Sequence, residues 1–173
     1  MATPLTFTGD PGEKARAVLH AWWLGLETRR GDRAELRRAA TPADVILCEG
    51  FYHLLNDLRD DYAISPRSLP KLALVAGVTA HVRTEDARPF AKQLASPKDG
   101  GSSAAMSGLR FRRLLQTDAA DPDALFVALV RAVRLAGNRA NLASLANAAY
   151  WWNEKLRRDW AVDYYATASN KAS

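Results

Sequence analysis

Met106-Ser107-Gly108-Leu109-Arg110-Phe111-Arg112-Arg113-Leu114-Leu115-Gln116-Thr117 reads as one short helix with two unlike sides. At about 100° per residue, Phe111, Leu114 and Leu115 fall within about a third of the circumference, and Arg110, Arg112 and Arg113 take the opposite side. No acid lies between Met106 and Thr117, so the arginines repel one another. Such a face is stable when well solvated or when it meets something anionic. Both readings stand at this point.

The same helical period extends in both directions. C-terminal to the arginine helix, Asp121-Pro122-Asp123 opens another, with Leu125, Phe126, Leu129, Val130 and Val133 as its core side and Arg131 and Arg134 one turn apart on its surface. Gly137 stops it. Asn141 caps a helix through Leu142, Leu145 and Ala149, and the pattern runs on at Trp152, Leu156, Trp160 and Tyr164, as a continuation or as a separate helix. Its far face carries Trp151, Lys155, Arg158 and Val162.

N-terminal to it, residues 96–103 form a Gly/Ser-rich loop of flexible composition. Before that come a short helix around Phe90 and Leu94 and an apolar helix from Lys71 to Val82, central to the packing, with Gly77 admitting a close neighbour. Ser65 to Pro70 is a break. Thr41-Pro42-Ala43-Asp44 starts a helix whose core stripe is Val45, Ile46, Leu47, Phe51, Leu54, Leu55 and Leu58, bending at Gly50. Asp57, Asp60 and Asp61 at its end oppose the helix dipole and call for a basic partner.

The segment from Arg33 to Ala39 is read as a helix begun by Asp32 and Glu35 as a capping box, after Gly31 ends the previous one. It carries Arg33, Arg37 and Arg38. Asp10, Pro11 and Glu13 predict the first helix start, followed by Ala15, Val18, Leu19, Trp22, Trp23 and Leu26. One of the paired tryptophans is expected in the core and the other at an edge. Residues 1–9 lack periodicity and are expected to be a loose arm. The chain is therefore expected to be all-α, with about eight or nine helices in two small packed bundles. These are an N-terminal lobe 1–95 and a C-terminal lobe 106–173, separated by the flexible Gly/Ser-rich loop 96–105.

The 173 residues are 48% hydrophobic and 25% charged, enough apolar material for a real core. Net charge is +5, and it is segregated: residues 64–117 hold nine bases against three acids, whereas residues 41–63 hold Arg59 against five acids. Anionic partners are favoured. Cys48 is the single cysteine, which excludes an intrachain disulfide and a cysteine-cluster zinc site, and a reducing cytoplasm is expected. No apolar run is long enough to span a bilayer.

Catalytic chemistry is not legible. His20, His53 and His81 fall in different helices without ligand spacing, Cys48 has no local basic activator, and Gly100-Gly101 is no phosphate loop. No enzyme activity, metal or cofactor is expected. What remains is arginine in stripes on several helices: Arg33, Arg37 and Arg38; Arg110, Arg112 and Arg113; Arg131 and Arg134; Lys155, Arg157 and Arg158. Guanidinium groups bind phosphate bidentately and stack on bases, so such stripes can follow a nucleic-acid backbone without reading sequence. A sequence-specific helical DNA-binding regulator and a helical protein-interaction scaffold are the rival readings.

Four pieces of the chain resemble the CasB family, the small subunit of the type I-E CRISPR surveillance complex called Cascade. They are Ala21-Trp22-Trp23 with Arg30 to Ala39; Gly50-Phe51-Tyr52-His53-Leu54; Met106 to Asp118; and Tyr150-Trp151-Trp152 running to Trp160 and Tyr164-Tyr165. The resemblance covers nearly the whole chain in the right order. It implies a non-catalytic helical subunit, present as a head-to-tail pair beside the backbone and large subunits of the complex. It also implies contacts that support the crRNA–target heteroduplex and hold the displaced DNA strand of the R-loop. Carried over by position, Arg37, Arg38, Arg67, Arg110, Arg131, Lys155 and Arg157 are implied binding residues, and Lys71 joins them as a neighbouring base. A membrane or a small-molecule substrate is not expected.

Overall fold

A computed structural model describes residues 3–171. Among the described residues there are ten α-helices: α1 (Glu13–Gly25), α2 (Arg30–Arg38), α3 (Pro42–Ile46), α4 (Glu49–Arg59), α5 (Leu69–Thr79), α6 (Phe90–Leu94), α7 (Gly108–Leu115), α8 (Pro122–Leu135), α9 (Leu142–Tyr150) and α10 (Glu154–Lys171). Four two-residue strands accompany them: β1 (Thr3–Pro4), β2 (Tyr62–Ala63), β3 (Thr84–Glu85) and β4 (Arg139–Ala140). They form two parallel pairs, β1 with β2 and β3 with β4. The expected all-α fold is what the chain adopts.

The pivot is α5. Every residue from Leu72 to Thr79 is buried, so this helix is apolar all round and must be wrapped. It packs on α9, α3 and α8. A Cβ placed on Gly77 would overlap Phe126 Cε2 and lie 2.8 Å from Val45 Cγ2, so glycine here is what lets α8 and α3 approach. Thr79, the polar member, satisfies its hydroxyl by donating to Val75 O at 2.6 Å.

Because α5 belongs to the first half of the chain and α8 and α9 to the second, the expected lobes 1–95 and 106–173 do not have separate cores. Their buried side chains form one continuous cluster. The 96–105 loop runs over this body with its ends clasped: Pro97 and Ala104 make an antiparallel bridge, Ala105 N–H donates to Ser96 O, and Met106 N–H donates to Leu94 O.

Several helix starts follow the local chemistry. Thr41 and Asp44 form a reciprocal capping box on α3, and Ser107, Asp121 and Asn141 cap α7, α8 and α9 with their side chains. Others do not. Gly9, with φ of 63°, leads instead into a short 3-10 turn, and Asp10 makes no capping bond. Arg29, not Asp32, precedes α2, and Gly31 lies inside that helix. The Asp32 carboxylate instead meets Arg29 at 3.3 Å, one turn back, and His53 on α4 at 3.7 Å. Between α3 and α4 the chain breaks at Leu47 and Cys48, ahead of Gly50. That break leaves Leu47 84% exposed, although it was expected in the core. The pattern that runs on from Ala149 to Trp152 and Tyr164 is a separate helix, with the interruption at Trp151–Asn153.

Two other expectations are corrected. The described part of the N-terminal arm is docked: Leu5 and Phe7 are buried, Trp151 Nε1 donates to Leu5 O at 2.9 Å, and Phe7 N–H donates to Asn147 Oδ1 at 3.4 Å. Residues 1–2 lie outside the described range. Trp22 and Trp23 are both buried, because α1 packs against α4 and α9 and each indole finds a carbonyl. Trp22 donates to Gly50 O and Trp23 to Val82 O, each at 2.9 Å. The basic partner for the acidic end of α4 is internal, Lys14 Nζ lying 2.7 Å from Asp61 Oδ1.

Candidate nucleic-acid interface

On α7, Phe111 stacks on Tyr164 with ring centroids 3.9 Å apart and 8° between planes, and Leu114 is buried beside it. With that side committed to the core, Arg110, Arg112 and Arg113 must face out, and all three are exposed. On α8 the same logic holds: Leu125, Phe126, Leu129, Val130, Ala132 and Val133 are buried, while Arg131 and Arg134 are exposed. The two helices bound a groove of about 580 Å³ that brings Arg110, Arg113, Arg131 and Arg134 together over a floor that includes Leu114, Ala128 and Leu135. Arg112 lies outside it.

The basic surface continues beyond α8. Burial, followed by repulsion from Arg83, Arg33 and Arg134, pulls the Arg37 guanidinium below its ordinary value. Helix α2, the connector after α5 and helix α8 therefore place their cations within reach of one another. His81, 3% exposed, lies under this cluster. Its pKa is lowered to about 4 by burial first and by Arg134 and Arg37 next, so at neutral pH the imidazole is uncharged. Among the described residues, Arg37, Arg83, Arg110, Arg113, Arg131 and Arg134 take part in no ion pair within 4.0 Å. Six unpaired guanidinium groups from four separate segments thus share one region.

The other expected site residues lie elsewhere or are otherwise engaged. Arg33 is largely covered: it bonds the Glu27 carboxylate and donates to Val82 O at 2.8 Å, so it buttresses the cluster from below. Arg38 is exposed and its charge is felt at Cys48. Arg67 and Lys71 line a separate groove of about 270 Å³ with Tyr150 and Trp151, where Lys71 Nζ sits 5.1 Å from the Trp151 ring centroid and 5.7 Å from that of Tyr150. Lys155 pairs with Asp159 at 2.8 Å and Arg158 with Glu154 at 4.0 Å, each one turn away on α10. Arg157 donates to Leu115 O at 3.3 Å, satisfying a carbonyl at the end of α7. The fourth stripe is therefore occupied by contacts within the chain.

Sequence periodicity passes over Arg83. It sits in an extended connector, where helical spacing carries no signal, and its N–H donates to Asn138 O at 2.8 Å, which fixes the connector beside α8. Among the described residues no group of three or more His, Cys, Asp or Glu is placed to hold a metal ion. The Cys48 thiol is pushed up by burial first, then by Glu35 and Asp44. Among the described residues no helix is long and apolar enough to cross a membrane.

The model of the family described as CRISPR-associated protein Cse2 matches residues 32–165. No curated protein matches the chain. Among solved structures, the chain is similar to one in the crystal structure of E. coli Cascade bound to a PAM-containing dsDNA target, with a TM-score of 0.67 and 19% identity. The match covers 90% of this chain and 96% of that one, a shared fold over nearly the full length of both.

Proposed function

The chain belongs to the CRISPR-associated Cse2 family, and on that premise we propose that it is the non-catalytic small subunit of a type I-E Cascade complex. In this reading it supports the crRNA–target heteroduplex, holds the displaced DNA strand of the R-loop without sequence specificity, and stands as a head-to-tail pair beside the backbone and large subunits. The observation that carries it is the track of Arg110, Arg113, Arg131, Arg134, Arg37 and Arg83, contributed by α7, α8, α2 and the connector after α5. No carboxylate within 4.0 Å neutralises these groups among the described residues. Phosphate contacts fix position and carry no sequence information, which suits a strand whose sequence differs from target to target.

The track matches the chemistry of a single strand. Guanidinium groups spaced along a groove neutralise successive phosphates, and the apolar floor gives bases a surface to lie on. A duplex-reading regulator would need a helix presented to the major groove with its base-contacting side chains on one face. Here the exposed arginines belong to different elements lying side by side. The test is binding of the isolated protein to single-stranded DNAs of unrelated sequence, before and after Arg110→Glu, Arg113→Glu and Arg131→Glu are combined. Wild type is expected to bind unrelated strands alike, and the triple variant at least tenfold more weakly. Unchanged affinity removes the track from the reading, and a strong preference for one duplex sequence replaces it.

A further inference from the structure

Past the C-terminal end of α8 lies a third cavity, a polar cleft of about 350 Å³. Its walls are the β3–β4 pair, through Thr84 and Arg139, and the clasped loop, through Ser96, Lys98 and Asp99. Gln93 from α6 lines it and is 4% exposed. The Gln93 amide nitrogen donates to Arg139 O at 2.6 Å, which sets which way the amide faces. Its Oε1 is buried and has no hydrogen-bond partner. A buried acceptor left unmatched is uncommon in folded proteins and calls for a donor from outside the chain.

The rim of the same cleft is cationic. Lys98 takes part in no ion pair within 4.0 Å among the described residues. Arg139 meets Asp99 at 3.2 Å, but the Asp99 side chain is 96% exposed and can yield to a competing anion. Arg88 also lines the cleft, but its charge is matched by the Asp86 carboxylate through two bonds, at 3.0 and 2.7 Å. An occupant must therefore offer a hydrogen-bond donor to the buried Gln93 oxygen and negative charge to Lys98 and Arg139. Inorganic phosphate near neutral pH has both the charge and an O–H, so size decides between it and a larger anion. The cleft falls in the size range of small-molecule sites, about 300–1,000 Å³, which a phosphate alone would leave largely empty.

We infer that this cleft takes one unpaired nucleotide, with the N–H edge of its base on Gln93 Oε1 and its phosphate on Lys98 and Arg139. The placement favours a nucleotide within a strand. Thr84 is next in the chain to Arg83, and Ala136 and Gly137 lie just past Arg134, so the cleft is walled by two of the segments that carry the track's arginines. That delivery by a strand rests on the proposed function; the pocket's chemistry does not, and a free nucleotide would satisfy it equally.

The experiment follows the Gln93 side-chain amide resonance of the full chain during separate titrations with inorganic phosphate, AMP and a short single-stranded DNA. AMP is expected to shift the resonance at a concentration at least tenfold below that needed with phosphate. Lys98→Glu, at an exposed position, and Ala105→Trp, which fills the cleft from a partly exposed position, are each expected to weaken AMP at least tenfold. The Arg110→Glu, Arg113→Glu and Arg131→Glu variant is expected to keep AMP binding while losing the single strand, so the two readings fail separately. Movement of Gln93 by the strand supports delivery from the track; movement by AMP but not by the strand assigns the pocket to free nucleotides. Equal potency of phosphate and AMP, no response to AMP, or AMP binding indifferent to Ala105→Trp overturns the inference.

Discussion

His81 is a buried imidazole set beneath Arg37 and Arg134, and its pKa near 4 follows from burial first and from those two cations next. Because the folded value lies below the ordinary 6.5, the folded protein refuses a proton that the unfolded chain accepts. The stability associated with neutral His81 is thus complete above about pH 6.5 and falls as pH drops toward 4, by at most about 1.4 kcal/mol per unit. Urea unfolding at pH 7 and pH 5 should show a smaller acid loss in His81→Leu than in wild type; an equal loss would assign the acid sensitivity to other groups. Gly77 makes the complementary case for packing. Gly77→Ala forces a methyl group against Phe126 and Val45, and thermal unfolding is expected to report a loss of about 1–3 kcal/mol. A variant as stable as wild type would show that α8 can retreat from α5 without cost.

At the scale of elements, what was legible in the sequence was what is decided locally. The α7 period sorted Phe111 and Leu114 from three arginines, and Thr41, Ser107, Asp121 and Asn141 cap where short-range chemistry puts them. Failures arose where other contacts won. Asp32 has the spacing of a capping residue, yet Arg29 one turn back and His53 on a distant helix claim its carboxylate. The segment 3–8 has no helical period because it is not helical: a two-residue strand leads into a bend. Leu5 and Phe7 alternate with Thr6 and Thr8, and that period of two was the signal for a docked arm. Phe7, fully buried and edge-on to Tyr150 at 6.5 Å, is expected to cost about 3–5 kcal/mol on replacement by alanine. A change below about 0.5 kcal/mol in denaturant unfolding would mean the arm is dispensable. The pairing within the α10 stripe was already visible in the sequence. Glu154 with Arg158 and Lys155 with Asp159 stand four apart, the spacing at which a helix neutralises its own charges.

Over the whole molecule, two features could not be read from one dimension. The first is that the halves share a core: an apolar helix such as α5 announces that it will be wrapped but not by which segments. The second is convergence. Arg110 and Arg113 are related by one helix, and Arg131 and Arg134 by another, but the groove between α7 and α8 exists because Phe111 and Tyr164, Phe126 and Gly77 lock those helices into one body. Arg37 and Arg83 join through α2 and a connector whose place is set by a backbone bond to Asn138. A cluster of unpaired cations costs folding stability through self-repulsion, which a bound polyanion relieves.

Releasing counterions from a single strand gives a salt slope of about −0.7 per neutralised phosphate. The measurement that bears most directly on the track is therefore the dependence of log affinity for single-stranded DNA on log salt, taken for wild type and two variants. Wild type is expected near −4, for about five or six phosphates. Combined Arg110→Gln, Arg113→Gln and Arg131→Gln should bring the slope to about −2, while Lys155→Gln with Arg158→Gln should leave it unchanged. A slope that responds to the α10 pair and not to the three arginines, or to neither, contradicts the account.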